Sequence, residues 1–217
     1  DGPTGKVLWR KNVLDDLGVD AEAHAAAVAW GRAGSPLVTE SLVIVPGGGP
    51  LVEGGGAVSL VAYDRATGGR IWTGGDEQIS YATPAVVDTG GGTIVVTVNE
   101  ASVAAHDPVD GRRLWSFPWP GHSNSDASCS QPHVLDDGRI FISKGYGIGA
   151  AVFAREGAAD AAPAFARAWS QPGLLKTKFT NVAIHEGHAY GLSDGILECV
   201  RLADGKRAWK GGRYGQG

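Results

Sequence analysis

Side chains that could bind a ligand are concentrated in the connections between the predicted strands of this 217-residue chain. They combine aromatic rings, amides, a carboxylate, a histidine and lysines, which together suit a site for a small polar ligand or a peptide. The candidate binding residues are Tyr81, Asn99, Trp119, His122, Asn124, Asp126, Lys144, Tyr146, Lys178 and Asn181. No Ser-His-Asp arrangement can be distinguished among the many loop serines, so no residue is predicted to be catalytic.

Patterns that would bind a metal ion or a phosphate are incomplete. His185 and His188 lie close together in the sequence, but on a predicted hairpin turn and not on the helix that a zinc protease motif needs. A zinc site there would require further ligands that the sequence does not nominate. The glycine runs at 47–49 and 54–56 lack the lysine and the helix of a phosphate-binding loop. We therefore expect no metal site and no resident cofactor.

A sequence motif that recurs along the chain must position the connections between the strands. Ala62–Trp72 contains a small residue, an aspartate, a Thr-Gly turn and a final tryptophan, and Ala105–Trp115 repeats this order with Asp-Gly as the turn. Partial copies end at Trp9, Trp169 and Trp209. A period of about 40 residues made of strands and turns is typical of propeller or solenoid repeats. We interpret the five tryptophans as the junctions between successive repeats.

Each repeat contains four short predicted strands. In the second repeat, runs rich in β-branched residues at 83–88, 93–98, 102–107 and 112–115 are separated by Gly, Asp and Pro turns. This pattern predicts an all-β propeller whose blades are four-stranded antiparallel sheets. We expect each aspartate to accept hydrogen bonds from its turn. We expect each tryptophan to pack against the neighbouring blade, over the small residue.

Two segments depart from the repeat. Residues 15–27 form an alanine-rich insertion before the first full repeat, and this composition predicts a short helix on one face of the propeller. Residues 156–163 are alanine-rich where an Asp-Gly turn is expected, which predicts a longer and looser hairpin.

Composition excludes two classes of partner. The formal net charge is -4 and the isoelectric point is about 5.8, whereas sequence-independent nucleic-acid binding needs a basic surface. No stretch approaches the ~20 apolar residues of a membrane-spanning helix. The chain has no methionine and begins and ends within a repeat, so we expect it to be part of a longer polypeptide.

The two cysteines, Cys129 and Cys199, do not by themselves establish a disulfide. Cys199 precedes Trp209 by the same interval as Ala62 precedes Trp72. This spacing favours a small buried residue beneath a ring, as is common for free cysteine.

The phrase A-x-D-x-x-T-G-x-x-x-W resembles the tryptophan-docking motif of quinoprotein alcohol dehydrogenases and their pyrroloquinoline quinone (PQQ)-like repeat relatives. Ala62–Trp72 matches at every fixed position, whereas Arg201 stands where the last copy would have aspartate. The relatives include the BamB-type outer-membrane assembly lipoproteins. The resemblance covers essentially the whole chain and implies a single, partial propeller domain over residues 1–217, with about four blades of a ring of seven or eight. Further blades of the same protein, or a second copy, would close the ring.

The same resemblance leaves several functions open. A PQQ enzyme needs a calcium ion held by carboxylate and amide oxygens, an aspartate base and a tryptophan floor, and the family often has adjacent cysteines above the cofactor. Trp119, Asn124 and Asp126 could imitate the floor and the ligands, but this chain has no adjacent cysteines. We therefore expect a non-catalytic scaffold, periplasmic or secreted, that binds a protein, peptide or small polar ligand. The alternatives are a PQQ- and calcium-dependent dehydrogenase of an alcohol or sugar, and an outer-membrane assembly subunit.

Overall fold

Four antiparallel sheets of four strands each account for most of the fold. The computed structural model describes residues 2–88, 92–157 and 164–216, and in these residues every sheet keeps its strands in chain order. Sheet 1 contains β1 (Leu37–Val38), β2 (Leu42–Gly48), β3 (Val58–Asp64) and β4 (Arg70–Gly74). Sheet 2 contains β5 (Ala85–Asp88), β6 (Thr93–Val98), β7 (Ser102–His106) and β8 (Arg113–Pro118). Sheet 3 contains β9 (His133–Val134), β10 (Ile140–Lys144), β11 (Gly149–Glu156) and β12 (Ala164–Gln171). Sheet 4 contains β13 (Ala183–His185), β14 (His188–Ser193), β15 (Ile196–Arg201) and β16 (Arg207–Gly211). These sheets are the four blades of a β-propeller, as the repeats predict.

The outer hairpin of every blade has the same register. In each blade the tryptophan of the fourth strand pairs with a residue of the third strand, and a β-bulge follows that pair. The pairs are Ala62 with Trp72, Ala105 with Trp115, Val152 with Trp169, and Cys199 with Trp209. Both cysteines are free and Cys199 is buried, so it takes the place of the alanine beneath the ring.

Asp64 organises the turn of the first repeat. Its Oδ1 accepts hydrogen bonds from the backbone N of Ala66 at 3.0 Å, and from the backbone N and Oγ1 of Thr67 at 2.7 and 2.8 Å. The bonds from Thr67 hold the pKa of the Asp64 carboxyl below its usual range. Gly68 then adopts a φ of 70°, which glycine reaches without a steric penalty.

Three tryptophans bind the turn of the next blade through the indole N–H group. The acceptor is in each case a backbone oxygen three positions before the positive-φ glycine. The contacts are Trp9 Nε1 to Arg65 O at 2.9 Å, Trp72 Nε1 to Pro108 O at 3.0 Å, and Trp169 Nε1 to Leu202 O at 2.8 Å. We call this arrangement a docking contact and the turn that accepts it a docking turn.

The glycine of a docking turn is needed for space as well as for conformation. A Cβ atom on Gly68 would lie 2.6 Å from Trp9, one on Gly111 would lie 2.5 Å from Trp72, and one on Gly205 would lie 2.8 Å from Trp169. These separations are shorter than carbon atoms tolerate. The indole rings therefore lie directly against the glycine backbone.

The other two junction tryptophans have different surroundings. Trp115 stacks on Phe117 with ring centroids 5.9 Å apart, and its centroid lies 4.7 Å from that of Phe165. Most of the alanine-rich run predicted to form a loose hairpin, residues 158–163, lies outside the described residues. Trp209 is 46% exposed and contacts Tyr190 of its own sheet.

Apolar side chains from facing sheets form the core. Ile140 and Ile142 of β10 pack towards sheet 2, where Phe117 and Phe153 stack at 4.1 Å, whereas Phe141 packs towards sheet 4. This alternation follows from the two-residue period of a strand. Sheet 3 is therefore buried on both faces.

The insertion contains two helices where the sequence predicted one. Helix α1 (Val13–Leu17) ends at Gly18, whose φ is 66°, and helix α2 (Ala21–Ala27) begins after Asp20. The Asp20 side chain accepts hydrogen bonds from the backbone N of Glu22 and Ala23, as an N-cap does. A glycine C-cap followed closely by a new N-cap divides the segment.

The docking geometry predicts a larger penalty for a side chain at Gly111 than at an open turn. Gly111→Ala should lower the free energy of unfolding by about 2–4 kcal/mol, because it combines left-handed strain with overpacking against Trp72. Gly138→Ala is the matched control, since Gly138 also has a positive φ but no described atom lies within 4 Å of its Cβ position. Urea unfolding measures both, and equal losses would contradict the close contact.

Buried histidines predict a loss of stability in mild acid. Burial lowers the pKa of His106 and His133, and His106 Nδ1 lies 2.9 Å from the oxygen of Gly111. The unfolded chain, with a histidine pKa of about 6.5, therefore binds more protons than the folded chain below that pH. The contribution of these histidines to the free energy of unfolding should therefore be nearly constant well above pH 6.5 and should fall as the pH drops through about 6.5. Unfolding midpoints across this range measure the slope, which should be smaller in His106→Gln.

Candidate functional site

Two kinds of loop lie on one face of the propeller. One kind joins the last strand of a blade to the first strand of the next, and the other joins the second strand of a blade to its third. Backbone hydrogen bonds join them, from Glu100 N to Gln78 O at 2.8 Å and from Tyr81 N to Ser128 O at 3.0 Å. We call this surface the loop face. It comprises residues 28–36, 49–57, 75–84, 99–101, 119–132, 145–148, 172–182, 194–195 and 212–216.

Three candidate binding residues are buried beneath the loop face. Tyr81 Oη donates to the oxygen of Ser123 at 2.6 Å, and burial raises the pKa of its phenol. Trp119 meets Phe153 edge-on at 6.2 Å, and Asn99 is equally inaccessible. The expectation that Tyr81, Asn99 and Trp119 line an exposed surface is therefore not met, and we exclude them from the site.

The insertion explains why part of this face is covered. Val28, at the end of α2, is buried in a cluster with Ile79, Tyr81 and Ala127. Trp30 N donates to Tyr81 Oη at 3.2 Å. The sequence predicted that the insertion lies on one face, but this contact between distant segments shows which face it covers.

Two further candidates connect segments of the chain. Asn181 Oδ1 accepts a hydrogen bond from Gln131 N at 2.8 Å, and Asn124 Nδ2 donates to Ala26 O at 3.4 Å. His122 is exposed, with Nδ1 3.8 Å from a carboxylate oxygen of Glu100. Of these three residues, Asn181 and Asn124 hydrogen-bond to the backbone of a distant segment, whereas the described contact of His122 with a distant segment is to the Glu100 side chain.

Lys144 and Asp126 form an ion pair in which the lysine is buried. The Lys144 side chain is 1% exposed, and its Nζ lies 2.7 Å from Pro120 O and 3.2 Å from Asp126 Oδ2. Burial lowers the pKa of Lys144, although Asp126 opposes this effect. A buried charge that is fully engaged holds the loops together, so Lys144 is not available to a ligand.

The accessible part of the loop face lies over sheets 3 and 4. Lys178 Nζ is 5.7 Å from the centre of the Tyr146 ring and 3.6 Å from Asp194 Oδ1. Tyr214 N donates to Gly195 O at 2.7 Å, which brings the segment after β16 to this face. Phe179 and Tyr214 are 64% and 68% exposed.

Exposed aromatic rings distinguish the loop face from the rest of the surface. Of the five exposed aromatic side chains among the described residues, only Trp209 lies elsewhere. We call the other four the aromatic set: Trp30, Tyr146, Phe179 and Tyr214. Sequence reasoning selected Tyr146 but missed Trp30, Phe179 and Tyr214. Their position in predicted inter-strand segments was the only signal that could have identified them.

The residues suggested for a quinone site do not fit it. Trp119 is enclosed in the core and cannot form a floor beneath a cofactor. Asn124 and Asp126 are bonded to Ala26 and Lys144. Within the described ranges no group of three or more His, Cys, Asp or Glu side chains is arranged to hold a metal ion. No helix in the same ranges is long and apolar enough to cross a membrane.

Comparisons with known proteins agree with the propeller geometry. The family model described as outer membrane protein assembly factor BamB matches residues 1–211. A similar solved structure is that of BamB from Moraxella catarrhalis, with a TM-score of 0.59 and 14% sequence identity. The alignment covers 85% of this chain and 53% of that one, so the chain spans about half the length of this neighbour. No curated protein matches the sequence.

The buried Tyr81 hydroxyl is expected to help hold the segment after α2 against the loop face. Tyr81→Phe should lower the free energy of unfolding by about 1–2 kcal/mol, because Ser123 O and Trp30 N would lose a buried hydrogen-bond partner. Tyr214→Phe, which alters an exposed hydroxyl, should leave it unchanged. Chemical denaturation compares the two variants, and equal stability of Tyr81→Phe and the parent would contradict this anchoring role.

Proposed function

Because the chain belongs to the family described as outer membrane protein assembly factor BamB, we propose that it is a propeller scaffold of the bacterial cell envelope. We propose further that it binds a protein partner on its loop face and catalyses no reaction. The observation that carries this proposal is the aromatic set, which places four of the five exposed aromatic side chains on one surface.

The composition of this surface supports a protein partner. Aromatic side chains are enriched in protein interfaces, where Trp and Tyr often contribute most of the binding energy. Beside Tyr146 the surface also has charged groups, since Lys178 lies against the Tyr146 ring and both Lys178 and Lys176 pair with Asp194. Exposed rings beside paired charges resemble the apolar centre and polar rim of an interface.

The Tyr146 ring, over sheets 3 and 4, is well positioned for binding. Tyr146 has a φ of 57°, a conformation that non-glycine residues seldom adopt. Lys178 lies against its ring and is also 3.6 Å from Asp194. A ring held in place before binding loses less conformational entropy when a partner arrives.

The other candidate functions have less support. The residues nominated for PQQ and calcium are enclosed or bonded elsewhere, so we derive no redox step from them. The role of assembly factor named for the matched family favours protein binding. We therefore propose a partner that takes part in assembly at the envelope and presents an apolar segment to the aromatic set.

Photo-crosslinking tests the loop face directly. A photoreactive amino acid at Phe179, in cells of the native host, should form a discrete adduct with one partner protein. The adduct should be reduced about 10-fold or more by Tyr146→Ser together with Tyr214→Ser, because an aromatic hot spot contributes about 2 kcal/mol or more and ~1.4 kcal/mol already corresponds to a tenfold change.

Val109 provides the matched control position. It is 79% exposed but lies in the β7–β8 turn, at the opposite end of β7 from the loop face. Probes at Phe179 and Val109 that give the same adducts, or no adduct from either, would overturn the proposal.

A further inference from the structure

A surface groove lies between sheets 1 and 2, on the face of the propeller opposite the loop face. Its volume is about 530 Å³, and residues 38–42, Ile71, Val86, Pro108 and Val109 are among those that line it. The β1–β2 and β7–β8 turns in this lining lie at the other ends of the strands from the loop face. We call this surface the turn-face groove.

The groove exists because the core between sheets 1 and 2 reaches the surface on this side. Ile44 and Trp72 of sheet 1 and Val95 of sheet 2 are buried together. Val86 pairs with Val95, so its side chain lies on the same face of sheet 2. Val86 is nevertheless 47% exposed, and the apolar lining of the junction therefore continues into the open groove.

Exposed aliphatic side chains are concentrated around this groove. Among the described residues seven large aliphatic side chains are exposed, and four of these line the groove. The four are Val38, Ile71, Val86 and Val109, with exposures between 47% and 79%. Single exposed apolar residues are common on protein surfaces, but a group of them in one concavity is typical of a binding site.

Glu40 gives the groove its charge. Of the described residues that line the groove, Glu40 alone has a charged side chain, and it is exposed. Asp107 and Asp110 lie near Val109 in the sequence, but Arg112 is 3.5 Å from a carboxylate oxygen of Asp107 and 3.9 Å from one of Asp110. The electrostatic complement of this groove is therefore a cation beside an apolar segment.

The length of the groove suits an extended chain. The lining runs from the turn after β1 to Ile71 of β4, which is the width of the four-stranded sheet 1. Neighbouring strands lie ~4.8 Å apart, so this width is about 14 Å, and an extended segment of about four or five residues at ~3.3 Å each spans it. In such a segment alternate side chains point to the same side.

We propose that the turn-face groove binds a short extended segment of a partner protein, with aliphatic residues at alternate positions and a lysine or arginine at the Glu40 end. The aliphatic side chains would cover Ile71, Val86 and Val109, and the cation would pair with Glu40. Because Trp72 Nε1 donates to Pro108 O at 3.0 Å, the turn at one end of the groove is held in place before binding. This second surface is separate from the loop face, and its role does not depend on the function proposed for that face.

A peptide complements the groove better than a lipid does. An acyl chain would cover the aliphatic side chains but would offer no partner to the Glu40 carboxylate. An anionic lipid headgroup would be repelled by the same carboxylate. A basic and aliphatic peptide satisfies both parts of the lining.

Selection of peptides from a random library on the purified chain tests the proposal. The selected peptides should share alternate aliphatic residues with a basic residue at one end. Binding of a fluorescent copy, followed by anisotropy, should weaken about 10-fold or more in Ile71→Asp and in Val109→Asp, because each variant places a charge in the apolar contact. Val52→Asp is the matched control and should bind like the parent, since Val52 is 71% exposed but lies on the loop face. Circular dichroism confirms that each variant is folded.

Exchange of the charges identifies the orientation of the segment. Glu40→Lys should weaken binding by about 5-fold at low salt, and a peptide with glutamate in place of its basic residue should bind this variant better than the parent. Glu53→Lys, which alters an exposed carboxylate on the loop face, should have no effect. Phe179→Ser should also bind the peptide like the parent, so failure of the groove is distinguishable from failure of the loop-face proposal.

Three results would overturn the proposal. The first is a selection in which no basic and aliphatic pattern is enriched. The second is peptide binding that is insensitive to Ile71→Asp, Val109→Asp and Glu40→Lys. The third is a fluorescent fatty acid that binds the parent, is lost in Ile71→Asp and Val109→Asp, and is not displaced by the selected peptides.

Discussion

The contact between an indole ring and a bare glycine turn is the interaction that joins sheet 1 to sheet 2 and sheet 3 to sheet 4. Trp72 and Trp169 each join two sheets, and Trp9 joins the segment before α1 to sheet 1, in each case by one hydrogen bond and by close packing on a positive-φ glycine. Burial of an indole of ~200 Å² at ~25 cal/mol per Å² contributes about 5 kcal/mol before entropy is counted. The hairpin of the third and fourth strands carries both a tryptophan that docks on the next blade and a glycine turn on which the preceding tryptophan docks. The same sequence motif can therefore be repeated to build a propeller.

The docking contacts also decide where function can lie. They occupy the outer hairpins, so the connections on the loop face are left to vary in sequence and length. The insertion uses this freedom over sheets 1 and 2, where Val28 packs on Tyr81. Tyr146, Phe179 and Tyr214 remain accessible over sheets 3 and 4. Rigid blades that carry variable surface loops are a common arrangement for binding proteins.

The turns and strand pairs within each blade were predictable from the sequence. Which loop side chains are buried was not. The Asp64 turn and the pairing of Ala62 with Trp72 depend on a few adjacent residues, so the repeat predicted the blades correctly. The exposure of Tyr81, Asn99 and Trp119 depended on which distant segment covers them. The single predicted helix became two because Gly18 and Asp20 act as caps inside an alanine-rich run. Trp30, Phe179 and Tyr214 belong to no repeated pattern, so only the structure revealed them as one surface.

Hydrogen exchange at the indole N–H groups, followed by two-dimensional NMR at low protein concentration, tests the central claim most directly. The account predicts slow exchange at Trp9, Trp72 and Trp169, whose indoles are bonded to backbone oxygens. It predicts fast exchange at Trp209, whose ring is 46% exposed. Equal exchange rates at all four positions would contradict the view that docking contacts hold the blades together.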